Sequence, residues 1–186
     1  MKTHQITGHI GAEISEVDLS NLDDGQIASI KQAWLSHKVL VFREQNITRE
    51  QHIAFGRNFG DLEIHPFAPS PEDHPEIVTI ISNEKVQYAA SNWHSDVTWR
   101  QEPSMGSILR GRVIPDVGGD TSFSNAAEAY KRLEPDVKTR VDSLYAIHDF
   151  SRTFGRRMSP EERQKKQEEY PPARHPVIRT HPETGE

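Results

Sequence analysis

The chain has 186 residues, a net charge of −6 and no cysteine. That length fits one domain with a buried core that needs no disulfide or structural metal. The missing cysteines exclude disulfide frameworks, zinc–thiolate sites, iron–sulfur clusters and cysteine nucleophiles, and the acidic balance argues against nucleic acid or an anionic membrane surface as a partner.

Residues 1–14 lack the apolar stretch of a secretory signal, and no apolar run approaches the ~20 residues of a transmembrane helix, so cytoplasm is the expected compartment. Residues 5–19 mix short alternating runs with Gly8 and Gly11 and read as strands. Residues 23–37 read as a helix whose face carries Ile27, Ile30 and Trp34. Val39 to Phe42 is a short buried strand. Thr48 and Gln51 fit a capping box opening a helix through Phe59, with Phe55 and Phe59 inward and Gly60 at the exit.

Residues 61–76, around His65-Pro66, read as loop, and Ile77 to Ile81 as a strand. After a polar loop over 82–92, Val97 to Trp99 reads as extended and Met105 to Val113 as a strand. Gly118-Gly119 turns the chain into Asp120 to Phe123. Asn125 and Glu128 open a helix to about Leu133, and Pro135 opens another that carries Val137, Val141 and Leu144. Tyr145 to Phe150 is a strand. Residues 151–172 alternate Arg/Lys with Glu, and Ser159-Pro160-Glu161-Glu162 starts a helix with almost no apolar face. This stretch reads as a solvated excursion or as a lid over a site. Pro176 to Thr180 is a strand, and Pro182 to Gly185 a hairpin turn with no second strand after it.

Ten histidines and no cysteine leave imidazole and carboxylate as the metal donors. The sharpest candidate is Trp93-His94-Ser95-Asp96. On an extended segment, side chains two apart point the same way, so His94 and Asp96 aim one imidazole and one carboxylate at a common point. That is two-thirds of a 2-His-1-carboxylate facial triad, whose open positions suit non-heme Fe(II) oxygenases. Spacing alone does not separate this from a surface His–Asp pair, the commoner reading of a bare His-x-Asp, and leaves His148, His175 and His181 as candidate third ligands.

Asn92 to Trp99 resembles the iron-binding segment of the taurine dioxygenase family, the Fe(II)- and 2-oxoglutarate-dependent oxygenases that include alkylsulfatases and 2,4-D dioxygenases. Further segments match in order. Phe59-Gly60-Asp61-Leu62 and Ile64-His65-Pro66 precede it, Gly118-Gly119-Asp120-Thr121 and His148-Asp149-Phe150 follow, and His175 to Pro182 comes last. The resemblance runs from about residue 5 to residue 186. It implies a double-stranded β-helix, or jelly roll, of mainly β (α+β) class with flanking helices. His94 and Asp96 match two iron ligands. Thr121 matches the threonine that binds the 2-oxoglutarate carboxylate, His65 a histidine on the substrate anion, and Phe154 an aromatic of the substrate pocket. The pattern sets His148, His175 and His181 aside as ligands.

The same resemblance puts the third histidine ligand and the arginine that pairs with 2-oxoglutarate beyond residue 186. Residues 1–186 are therefore expected to be a single partial domain, incomplete at its C-terminal side, with weak Fe(II) binding and no 2-oxoglutarate turnover on its own. Ala68 and Ala90 stand where taurine enzymes carry a tyrosine and an asparagine, and Asn92 lies near the latter without matching it. A pocket short of those two donors disfavours taurine and favours a larger or more apolar anion, such as an alkyl sulfate ester, another alkanesulfonate or an aryloxyalkanoate. The expected reaction is hydroxylation of that anion with O₂, giving succinate and CO₂, and the sequence is compatible with a homo-oligomer. A metal-dependent hydrolase built on the His/Asp pair, or a non-catalytic jelly-roll remnant, are the alternatives from other function classes.

Overall fold

The structure, a computed structural model, describes residues 1–83 and 92–186. Its contacts divide the chain into two units. One comprises residues 1–62, 110–134 and 180–186, and the other residues 63–109 and 135–179.

The first unit is built on a three-stranded sheet. β1 (Lys2–Gln5) pairs antiparallel with β2 (Ala12–Ser15), Lys2 opposite Ser15, and β2 pairs parallel with β3 (Leu40–Phe42), Ala12 opposite Leu40. A parallel neighbour needs a crossover, and α1 (Asp24–His37) supplies it. On β2 the two-residue period buries Ala12 and Ile14. α1 begins at a capping box in which Asp23 accepts from the Gln26 N–H and Gln26 accepts from the Asp23 N–H. α2 (Arg49–Arg57) begins at the Thr48/Gln51 box read from the sequence, with both reciprocal bonds formed. Leu19, Ile30, Ile47 and Phe55 make the buried cluster between these helices and the sheet. Trp34 and Phe59 meet edge to face at 5.7 Å, and Phe55 and Phe59 at 5.2 Å. α3 (Ala126–Lys131) is capped by Asn125, whose side chain accepts from the Glu128 N–H. The Glu128 carboxylate pairs with Lys131 at 3.1 Å.

The second unit holds α4 (Pro135–Val141), β4 (Tyr145–His148), two short 3-10 turns (Phe150–Arg152 and Phe154–Arg157), α5 (Pro160–Glu169) and β5 (Ala173–Pro176). β4 and β5 pair antiparallel, His148 opposite Ala173. The core here is aromatic. Phe67 stacks on Phe150 at 4.5 Å and on Phe154 at 5.4 Å, and meets Trp99 and Tyr170 edge-on at 5.3 and 5.4 Å. Phe150 and Trp99 are buried.

Mixed α and β content is as expected, but strand content is smaller. The described residues form two small sheets and no closed double-stranded β-helix. Ile77 to Ile81 and Met105 to Val113, read as strands, join no ladder, and β5 occupies 173–176 instead of 176–180. β-propensity describes fitness for a pleated, half-buried surface, and these segments have no such surface. Ile80, Leu109 and Val113 stay at least half exposed. Val97 to Trp99 is a turn, not extended: the Arg100 N–H donates to the Val97 carbonyl at 2.9 Å while Trp99 buries into the aromatic cluster. Among the described residues, no helix is long and apolar enough to cross a membrane.

Candidate metal and substrate site

His94 and Asp96 sit at the entry to the Asp96–Trp99 turn, both more than half exposed, with His94 Nε2 3.3 Å from Asp96 Oδ1. Each side chain is oriented by a second contact. His94 Nδ1 lies 2.7 Å from the Asn92 carbonyl oxygen, which can only accept, so Nδ1–H donates there and Nε2 is the nitrogen turned toward Asp96. Ser107 Oγ donates to Asp96 Oδ2 at 2.7 Å, leaving Oδ1 turned toward the imidazole. An imidazole nitrogen and a carboxylate oxygen held this way fit a divalent first-row metal, and orientation of ligands through their far atoms is how outer-shell partners tune such sites. Among the described residues no third His, Asp or Glu joins them.

The two candidate substrate residues lie together in the same unit. His65 meets Phe154 at 5.1 Å, Trp99 at 6.1 Å and Phe67 at 6.1 Å, all edge to face. Its Nδ1 accepts from the Phe67 N–H at 3.2 Å. Burial pushes the His65 pKa below its ordinary value, opposed by the negative charge of Glu63, with the Arg100 charge lowering it and Asp96 raising it. Phe154 stands in the second 3-10 turn and stacks on Phe67. Ala68 is half-buried one residue further on. Ala90 lies outside the described residues. Thr121 belongs to the first unit, where it is exposed just past Gly118 and Gly119, whose φ angles of 81° and 76° make the expected turn.

The histidines set aside as ligands are engaged elsewhere. His175 is buried, with Nε2 2.9 Å from both the Thr98 and the Arg100 carbonyl oxygens. His148 Nδ1 is 2.9 Å from Thr98 Oγ1. His181 Nδ1 accepts from the Glu183 and Thr184 N–H groups.

Several residues of this neighbourhood carried no readable signal. Ser107 is 11 residues from the carboxylate it orients. Arg100 donates to Glu63 at 2.9 Å and lies over the rings of Trp99 and Tyr170 at 4.9 and 5.3 Å. Tyr170 lies inside the charged stretch 151–172, yet it packs on Phe67 and Trp99. Phe67, two residues past His65, lies in a turn inside the stretch read as loop, so no side-chain period marked it either.

Comparison with known proteins covers the whole stretch. The profile of the family described as taurine catabolism dioxygenase TauD, TfdA family matches residues 2–186. An alkylsulfatase of Acinetobacter baylyi is 34% identical over 194 aligned residues, covering 100% of this chain and 61% of its own length. An (S)-phenoxypropionate/alpha-ketoglutarate-dioxygenase of Sphingobium herbicidovorans is 33% identical, covering 94% of this chain and 64% of its own. The crystal structure of a taurine dioxygenase from Burkholderia xenovorans superposes with a TM-score of 0.78 at 37% identity, over 100% of this chain and 60% of that one. The chain thus spans a little under two thirds of the length of these relatives.

Proposed function

The chain belongs to the TauD, TfdA family of taurine catabolism dioxygenases, and from that premise we propose that it carries the metal-binding half of an Fe(II)- and 2-oxoglutarate-dependent dioxygenase acting on a small organic anion. The observation that supports this most is the orientation of His94 Nε2 and Asp96 Oδ1 toward each other, each fixed from behind by Asn92 or Ser107. When bound, iron with 2-oxoglutarate supplies the activation of O₂ for hydroxylation, with succinate and CO₂ as the cosubstrate's products.

The protein's own residues do the positioning. His94 and Asp96 hold two coordination positions. Thr121 donates its hydroxyl to a 2-oxoglutarate carboxylate, a role that rests on motif order alone. His65 offers Nε2–H to the substrate anion, since Nδ1 is committed to the Phe67 N–H. Phe154, Trp99 and Phe67 give the substrate carbon chain an apolar wall and keep water off it. The substrate class is an alkyl sulfate ester, a sulfonate or an aryloxyalkanoate, in keeping with the names of the relatives and with alanine at position 68. The remaining partner is O₂, the compartment is cytoplasmic, and neither nucleic acid nor a membrane takes part. The fold of the whole protein is a jelly roll with residues 1–186 as one part of it, and a homo-oligomer is compatible with it.

The site is tested with Mn(II) as a paramagnetic probe of the amide spectrum. Broadening should centre on residues 92–99 and disappear in His94→Ala and in Asp96→Ala. Broadening that persists unchanged in both variants sinks the assignment. In the whole protein, succinate release should require Fe(II) and one of the named anions. Zinc-supported hydrolysis with no 2-oxoglutarate consumed would instead favour the hydrolase reading.

A further inference from the structure

We propose that His175, assisted by His148, is a positioning residue that clamps the turn immediately after Asp96 and so holds the carboxylate in register with His94. The inference rests on the reading of His94 and Asp96 as metal ligands.

The turn needs holding. It spans Asp96 to Trp99 and is closed by the Arg100 N–H donating to the Val97 carbonyl at 2.9 Å. Val97, one residue past the carboxylate, has φ 45°. A β-branched L-residue rarely adopts that left-handed conformation, and such an outlier persists only where the surroundings over-determine it. Those surroundings are the two-stranded sheet of β4 and β5. Ala146 pairs with His175 and His148 with Ala173. The two imidazoles face each other edge to face at 5.2 Å.

From there both rings reach the same turn. His175 Nε2 is 2.9 Å from the Thr98 carbonyl and 2.9 Å from the Arg100 carbonyl. Two carbonyls can only accept, so the proton is on Nε2 and is shared between them. His148 Nδ1 is 2.9 Å from Thr98 Oγ1. Thr98 is thus held by its backbone from one ring and by its side chain from the other. Ser107 fixes the outer oxygen of Asp96 from another direction. Among the described residues His175 is the one buried polar or charged side chain, and it spends its N–H on a turn two residues from a proposed ligand. A hydrocarbon of the same size would fill the space and leave two half-buried carbonyls without that donor.

The experiment measures Mn(II) affinity by paramagnetic broadening in the 186-residue chain, with thermal stability recorded alongside. His175→Phe keeps the bulk and removes the donor. Its Mn(II) dissociation constant should rise about tenfold, the low end of what outer-shell partners contribute. His175→Gln, which keeps an N–H donor, should recover most of that loss. Glycine at position 97 adopts φ 45° without strain, so Val97→Gly added to His175→Phe should restore Mn(II) affinity but not thermal stability. Thr98→Val removes the His148 contact from a half-buried position and guards against a misfolded His175 variant; a loss of about threefold is expected.

Unchanged affinity in His175→Phe and Thr98→Val, with His94→Ala and Asp96→Ala still abolishing binding, overturns the clamp and leaves the site standing. A loss in His175→Phe that neither Gln nor Val97→Gly recovers makes His175 ordinary packing and also overturns it. Binding that survives His94→Ala and Asp96→Ala overturns the site reading instead.

Discussion

Proton placement at single side chains decides what this neighbourhood can bind. His65 accepts from the Phe67 N–H at Nδ1, and burial lowers its pKa. Near neutral pH it is therefore a neutral imidazole carrying its proton on Nε2, a donor without a formal charge. Side-chain ¹⁵N spectra at pH 7.5 should show an unprotonated Nδ1 and a protonated Nε2; a doubly protonated ring would refute this. At His94 it is Nδ1 that carries a proton, because it faces the Asn92 carbonyl. Ser107→Ala removes the donor to Asp96 Oδ2 and should weaken Mn(II) binding severalfold while changing stability by less than about 1 kcal/mol, since the pair is exposed. The His–x–Asp spacing made two of these atoms legible in the sequence. Their supports were not, because an asparagine carbonyl two residues back and a serine 11 residues on leave no compositional trace.

Helices were more legible than strands, for a physical reason. A helix closes its hydrogen bonds locally, and the Thr48/Gln51 and Ser159/Glu162 boxes announce themselves within four residues. A strand needs a partner that its own residues do not specify, and Met105 to Val113 stays out of any ladder despite its apolar pattern. α5 shows where local reading stops. Its charged sequence suggested a freely solvated excursion, but Tyr170 at its end anchors it through Phe67 and Trp99 at 5.4 and 5.3 Å, with Arg100 over the same ring. Tyr170→Ala should accelerate proteolysis and amide exchange across residues 160–169, whereas Tyr170→Phe, which keeps the ring contacts, should stay close to the parent. Equal behaviour of the two variants would show that the anchor is not the ring. Ser159→Ala, losing the cap at the other end, should cost about 1 kcal/mol in the stability of this element.

At the scale of the whole chain, the two units should respond differently to acid. His65 and His148 both belong to the second unit, and burial lowers the pKa of each, His148 further through its neighbour His175. A histidine whose folded pKa lies below its unfolded one binds fewer protons folded than unfolded. Its stabilising contribution is complete above the unfolded value, ordinarily about 6.5, and is lost as pH falls from there to the folded pKa. The shifted groups of the first unit are carboxylates: Asp18 beside Ser20, Glu128 beside Lys131 and Glu186 beside Lys38, all lowered, together with Lys131, which is raised. Lowered carboxylates keep their contribution down to the ordinary carboxylate range and lose it only below that. Glu169 in the second unit behaves the same way. Between about pH 6.5 and pH 5, then, the second unit should lose protection while the first keeps it. Amide exchange resolved by residue measures this directly, comparing the buried cluster at Ile30 and Phe55 with that at Phe150 and Trp99. His148→Leu, which removes one of the two titrating groups, should flatten part of the slope. Loss of protection in step across both units, or first around Ile30, would show that these two half-buried imidazoles do not govern acid stability here.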